Sequence, residues 1–252
     1  MYNLFMGMIM IRYIALFLML LGCSKAVVPI PAVSPYEDNS VLSEGISDRT
    51  VALVYKSAGE DGKEIYRPFC TGVWVSEREI LTAGHCVESM AELQGAGKIG
   101  LELKFIIKNQ VVDIGEDVRG VYVGRVLAVD LRHDLALIGV GGLAPRHGVS
   151  RLAERMPGVG TRMFSCGHVK GLYWTYVEGV VAAWRHEMAM SEFEGPFMQV
   201  SAPVYLGNSG GGIFNASGEL VGIASFIASA PNAAFYIPLV HMKSFLKKNG
   251  VK

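Results

Sequence analysis

Three short segments of the 252-residue chain carry side chains that can do nucleophilic chemistry together. Gly207-Asn208-Ser209-Gly210-Gly211-Gly212 sets a serine among glycines, Leu81-Thr82-Ala83-Gly84-His85-Cys86 supplies a histidine, and Asp134-Leu135-Ala136-Leu137-Ile138 puts a carboxylate at the head of an apolar run. A serine hydroxyl is a poor nucleophile until a histidine takes its proton. That histidine in turn needs a carboxylate to fix its tautomer and stabilise the imidazolium. His85, Asp134 and Ser209 are therefore the candidate base, orienting acid and nucleophile. The glycines let the backbone turn sharply, so that the amides of Gly207 and Ser209 can point at one developing oxyanion. Each segment alone has a plain structural reading as a buried histidine, a strand start or a glycine turn. Those readings leave the joint order, at separations of 49 and 75 residues, unexplained. Asp130 is the nearby rival acid, but it precedes Leu131-Arg132-His133 rather than a strand-like run, which favours Asp134.

The histidine comes first in this chain, whereas the α/β-hydrolase elbow places its serine first. That order excludes the hydrolase fold. The segments resemble those of trypsin-like (chymotrypsin-fold) serine peptidases, and within them the bacterial high-temperature-requirement, or Deg-type, branch. Phe69-Cys70-Thr71-Gly72 with Leu81 to Cys86 resembles the family's cysteine-bracketed strand pair ending in the histidine. His133-Asp134-Leu135-Ala136-Leu137-Ile138 resembles the strand start that delivers the aspartate, and Gly207 to Gly211 the nucleophile loop.

The resemblance implies an all-β fold, two six-stranded antiparallel barrels with a short C-terminal helix. It implies a serine endopeptidase acting through an acyl-enzyme on protein or peptide substrates, with no cofactor and no metal. A disulfide between Cys70 and Cys86 is implied too, and closing a loop of that size is worth on the order of 3 kcal/mol. The specificity pocket would have Pro203 at its base, six residues before Ser209, and Ser225, Phe226, Ile227 and Ala234 in its walls. Such a pocket is neutral and narrowed, so cleavage after small apolar residues is expected. Asn208 stands where the digestive enzymes carry an acid that pairs with a freed N-terminus, so no activating cleavage is expected. The alternative is a catalytically silent fold used for binding or as a surface or virion structural component.

These residues must be positioned by strands. Apolar and β-branched runs follow one another at 51–55, 69–75, 101–107, 110–114, 121–129 and 135–140, which suits one closed barrel. A second set at 161–166, 172–184, 196–202, 211–214, 220–227 and 234–237 suits another. The barrels would span about 48–145 and 155–238 within a catalytic domain of 48–248. Leu239, Met242, Phe245 and Leu246 recur at helical spacing with lysines following, so residues 239–248 read as a helix. No further domain is expected after it.

Residues 1–22 form an apolar run ending in Leu20-Leu21-Gly22-Cys23-Ser24. This is a secretory signal pattern, and a cysteine directly after the small residue resembles a lipoprotein signal in which Cys23 is lipidated. A start at Met10 would put Arg12 in the usual basic region. An uncleaved anchor is the competing reading. Residues 23–47, with Pro29, Pro31 and Pro35, read as an extended tether. An exported, membrane-attached protein facing the periplasm or cell exterior follows, and such a compartment permits the disulfide. Cys166 is left as a buried free thiol. His168 is expected in a solvated loop, and His133, His147, His186 and His241 in turns or on a helix surface. Twenty-three basic and twenty-three acidic residues cancel, which gives no electrostatic case for nucleic-acid binding.

Overall fold

A computed structural model describes residues 38–59, 62–108, 120–141, 147–186, 193–227 and 233–251. The expected signal, Cys23, most of the tether and the strand at 110–114 lie outside them. Six strands close the first barrel: β1 (Thr50–Ala58), β2 (Glu64–Trp74), β3 (Glu79–Thr82), β4 (Glu102–Ile107), β5 (Val121–Asp130) and β6 (Leu135–Gly139), in the order β1-β2-β3-β6-β5-β4. The second comprises β7 (Arg162–Val169), β8 (Leu172–Arg185), β9 (Phe197–Val200), β10 (Gly212–Phe214), β11 (Leu220–Ile227) and β12 (Ala234–Pro238), in the order β10-β11-β12-β9-β8-β7. Every neighbouring pair is antiparallel. The sixth place in the first barrel thus belongs to Glu79–Thr82.

Among the described residues three helices accompany the strands: α1 (Ser40–Asp48), α2 (Gly84–Gln94) and α3 (Leu239–Lys248). The tether expected over 23–47 is therefore helical from Ser40, where Ile46 packs into the core and supplies the reason for order. α2 went unread because its apolar residues are few, and Gly84 opens it.

The first barrel is filled by Val51, Leu53, Trp74, Ile80, Phe105, Val126, Ala136 and Ile138. The second is filled by Met163, Val181, Met198, Val200, Ile213, Val221 and Tyr236. Between them lies a third cluster, in which Val73, Leu81, Leu135 and Leu137 meet Phe164, Phe214, Leu220, Ile223 and Ile237, with Met242, Phe245 and Leu246 of α3. Alternate residues of β2, β3 and β6 thus point into the first barrel and into this shared layer. Strands buried on both faces lose the apolar–polar alternation, which is why Leu135-Ala136-Leu137-Ile138 is apolar throughout.

That layer places the chemistry. In the antiparallel pair β3–β6, Thr82 lies opposite Ala136. The chain leaving β3 and the chain entering β6 therefore meet at one end of the sheet, bringing His85 beside Asp134. Cys70 of β2 and Cys86 of α2 are joined by a disulfide, tying the start of the histidine's helix to its neighbouring strand. Replacing both cysteines by alanine should cost about 3 kcal/mol of unfolding free energy. At ~2–4 °C per kcal/mol for a chain this long, the melting temperature should fall by about 6–12 °C. Calorimetry of the double variant against oxidised wild type checks this; an unchanged melting temperature contradicts it.

Candidate active site

Asp134 has no exposed surface, and a carboxylate so placed must find donors. It finds three. The His85 backbone N–H donates to Oδ1 at 2.8 Å, and His85 Nδ1 lies 3.0 Å from Oδ1 and 2.9 Å from Oδ2. The Ser225 hydroxyl donates to Oδ2 in a short hydrogen bond. With Nδ1–H committed to the carboxylate, Nε2 of His85 keeps its lone pair. Asp134 itself sits at φ 54°, left-handed backbone that Asp tolerates better than most residues. The rival Asp130 is occupied elsewhere, accepting from His133 Nδ1 at 2.8 Å and from the His133 backbone at 3.2 Å. Partial burial opposes its ionisation, but those bonds hold its carboxyl below the usual range.

Ser225 owes its aim to a bulge. β11 and β12 pair Ala224 with Tyr236 and Phe226 with Phe235, so Ser225 is the extra residue. Sequence reading placed it in a pocket wall. It lines the pocket, and its hydroxyl also crosses from the second barrel to the acid of the first.

Ser209 and His85 line one pocket of about 310 Å³ with Phe193, Val204, Tyr205, Leu206, Ser225, Phe226 and Ile227. The Ser209 hydroxyl donates to the Ser225 carbonyl at 3.4 Å and makes no bond to His85 among the described residues. Rotation about its Cα–Cβ bond is needed to bring it to the imidazole, a looseness common without substrate.

The loop that carries Ser209 is fixed through its carbonyls. Thr71 of β2 donates its backbone N–H to the Ser209 carbonyl at 2.8 Å and its hydroxyl to the Gly207 carbonyl at 2.6 Å. The Leu206 carbonyl accepts from Lys170 N–H at 3.0 Å, and the Asn208 carbonyl from Gly211 N–H at 2.9 Å. In a trans peptide the N–H points opposite to its carbonyl. Both bonds therefore turn the following N–H groups, those of Gly207 and Ser209, the other way. Among the described residues neither has an acceptor. Gly207 has φ 100°, and a Cβ there would stand 2.2 Å from the His168 carbonyl oxygen, so only glycine fits.

The pocket base differs from expectation. Pro203 is exposed, and Ala234 is buried in β12 between Val200 and Ile227. Neither lines the pocket. The turn closed by Asn208 N–H on the Tyr205 carbonyl brings Val204 to Leu206 to the rim instead. Phe193, which no motif marked, is set beside His85 with ring centroids 6.3 Å apart. The bond from Glu194 N–H to the Arg132 carbonyl and the Arg132–Glu194 ion pair hold its loop to the turn that delivers Asp134.

Cys166 is free and buried, as read, and burial pushes its thiol to about 12. His168 is not in a solvated loop. It is fully buried, because its ring fills a break in the β7–β8 ladder. Among the described residues, the cluster Cys70, His85 and Cys86 is the one with metal-ligand spacing, and its sulfurs are already bonded to each other.

Comparison with known proteins identifies the family and the fold. Residues 70–223 match the model of the trypsin-like peptidase domain family. A protein of Rhizobium meliloti named "Probable periplasmic serine endoprotease DegP-like" is 35% identical over 118 residues, covering 45% of this chain and 23% of its own length. The "Probable serine protease do-like" of Buchnera aphidicola from Acyrthosiphon pisum is 28% identical over 168 residues, covering 67% of this chain and 32% of its own. The chain thus matches about a quarter to a third of these curated relatives. A serine endoprotease structure from Yersinia pestis superposes with a TM-score of 0.63 at 20% identity, covering 85% of this chain and 67% of that one. That likeness is one of fold.

Burial lowers the pKa of His168 to about 3, well under the unfolded value near 6.5. Below pH ~6.5 the unfolded chain gains a proton that the folded ring refuses until about 3, so stability falls as pH drops through this window. His168→Asn removes that group. Its melting temperature should fall less than wild type's between pH 7 and pH 4, and an equal fall in both proteins would contradict the assignment.

Proposed function

The chain belongs to the trypsin-like peptidase domain family, and we propose that it is an exported serine endopeptidase in which His85, Asp134 and Ser209 form the catalytic triad. The observation that carries the reading is the buried Asp134 carboxylate gripping His85 Nδ1 beside Ser209, next to two N–H groups with no acceptor among the described residues. Ser209 attacks the scissile carbonyl while His85 Nε2 takes its proton. The oxyanion settles on the N–H groups of Gly207 and Ser209. His85 then protonates the leaving amine, and water releases the acyl group by the same path. Asp134 stabilises the imidazolium throughout. One observation favours the silent-binder alternative, the hydroxyl of Ser209 resting on Ser225, and a single-bond rotation removes it. A fluorophosphonate should attach to Ser209 in wild type. Labelling and peptide hydrolysis should both vanish in Ser209→Ala and His85→Ala; undiminished hydrolysis by Ser209→Ala refutes the triad.

Among the described residues the pocket is lined by Val204, Leu206, Phe226 and Ile227 and offers no carboxylate, which supports cleavage after small apolar residues. Burying an unpaired guanidinium or ammonium there would cost several kcal/mol. Among fluorogenic peptides ending in Ala, Val, Phe and Arg, the Ala and Val substrates should lead. Preference for Arg would refute the pocket reading.

Export is supported by the disulfide, which needs an oxidising compartment, and by the periplasmic relatives. Among the described residues no helix is long and apolar enough to cross a membrane. We assign attachment to lipid on Cys23. Labelled palmitate should enter wild type and not Cys23→Ser; equal incorporation rejects the assignment.

A further inference from the structure

The hairpin joining β7 to β8 is built to hold the oxyanion loop. Its two-residue turn, Lys170-Gly171, has φ 47° and 88°, the paired positive values that suit the twist of adjoining strands. The Lys170 N–H then reaches the Leu206 carbonyl, the bond that turns the Gly207 N–H to its free side. Below the turn the ladder breaks. Gly167 pairs with Thr175 and Val169 with Leu172, leaving His168 opposite Tyr173 and Trp174. Trp174 takes φ 58°, a left-handed conformation rare for so bulky a residue, and its N–H donates to His168 Nδ1 at 3.3 Å. The imidazole thus replaces a missing strand acceptor. Its ring lies edge-on to Trp174 at 4.6 Å, and Nε2, near the Val51 backbone of the first barrel, has no partner in hydrogen-bonding geometry among the described residues. The backbone of the same residue backs the loop, since the His168 carbonyl fills the space a Gly207 side chain would need. Gly167 leaves room for the buried Asn208, whose Oδ1 a Cβ at that position would approach to 2.4 Å.

We propose that His168 is the positioning residue of the oxyanion hole: by accepting the Trp174 N–H it fixes the hairpin register that presents Lys170 to Leu206 and so keeps the 206–207 peptide turned for catalysis. This rests on the peptidase reading above. In a chain with Asn208 instead of an acid, a neutral hairpin contact does the holding.

His168→Leu keeps the volume and deletes the acceptor. Loss of one oxyanion donor should lower kcat by about 10²- to 10³-fold. KM should move less than about threefold, and affinity for a peptide boronate, whose tetrahedral anion needs the hole, should drop in parallel with kcat/KM. Binding of the product peptide should stay unchanged, which a general loss of structure would not allow. His168→Asn, which restores an acceptor at similar reach, should recover most of kcat. If His168→Leu does not fold, His168→Ala, which also deletes the acceptor, carries the test with the same split expected. Wild-type kcat and boronate affinity in the folded His168→Leu, or in His168→Ala where His168→Leu fails to fold, overturn the proposal. A wild type that neither takes fluorophosphonate nor cleaves peptides overturns the peptidase reading, and this assignment with it.

Discussion

An ionisable carboxylate with no exposed surface sits where the two barrels meet, and much of the molecule is arranged around satisfying it. Asp134 receives two donors from His85 of the first barrel and one from Ser225 of the second. Removing a charge from water costs several kcal/mol unless hydrogen bonds replace the lost hydration. The barrels must therefore dock in one relation for the carboxylate to be satisfied. The apolar layer of Leu81, Leu135, Leu137, Phe164 and Phe214 supplies the driving force for docking but little directional preference. The carboxylate supplies the direction.

A second constraint acts on the backbone. An oxyanion hole asks for two N–H groups without acceptors, yet protein N–H groups are nearly always paired. The loop resolves this by binding its carbonyls instead. Thr71, Lys170 and Gly211 take the carbonyls of residues 206 to 209, and the two N–H groups are left pointing away. Because Thr71 belongs to the first barrel and Lys170 to the second, the proposed hole also depends on their docking. The pairings that orient the acid and those that orient the hole are thus made at one interface.

What could be read from the sequence follows from how local each signal is. His85, Asp134 and Ser209 each stand in a short context of their own, and β3–β6 pairing brings two of those contexts together without any long-range guesswork. The second barrel was legible because its strands are separated by glycines and polar turns. Ser225's reach to Asp134 was hidden, since it depends on a bulge visible only in the β11–β12 register. Phe193 lacks a motif and owes its place to a backbone bond on Arg132. A histidine after Gly167 looks like loop in sequence, whereas the ring of His168 is spent on a ladder gap. Helix α1 was missed for a similar reason, its order coming from Ile46 packing into a distant cluster.

The proposed activity requires that Ser209, activated by the Asp134–His85 pair, forms a covalent acyl-enzyme. Acid-quenched intact-mass spectrometry during turnover of an activated peptide ester tests it most directly. The prediction is one acyl group per chain, mapped to Ser209 and absent from His85→Ala. No adduct in wild type, or an adduct on another residue, would contradict it.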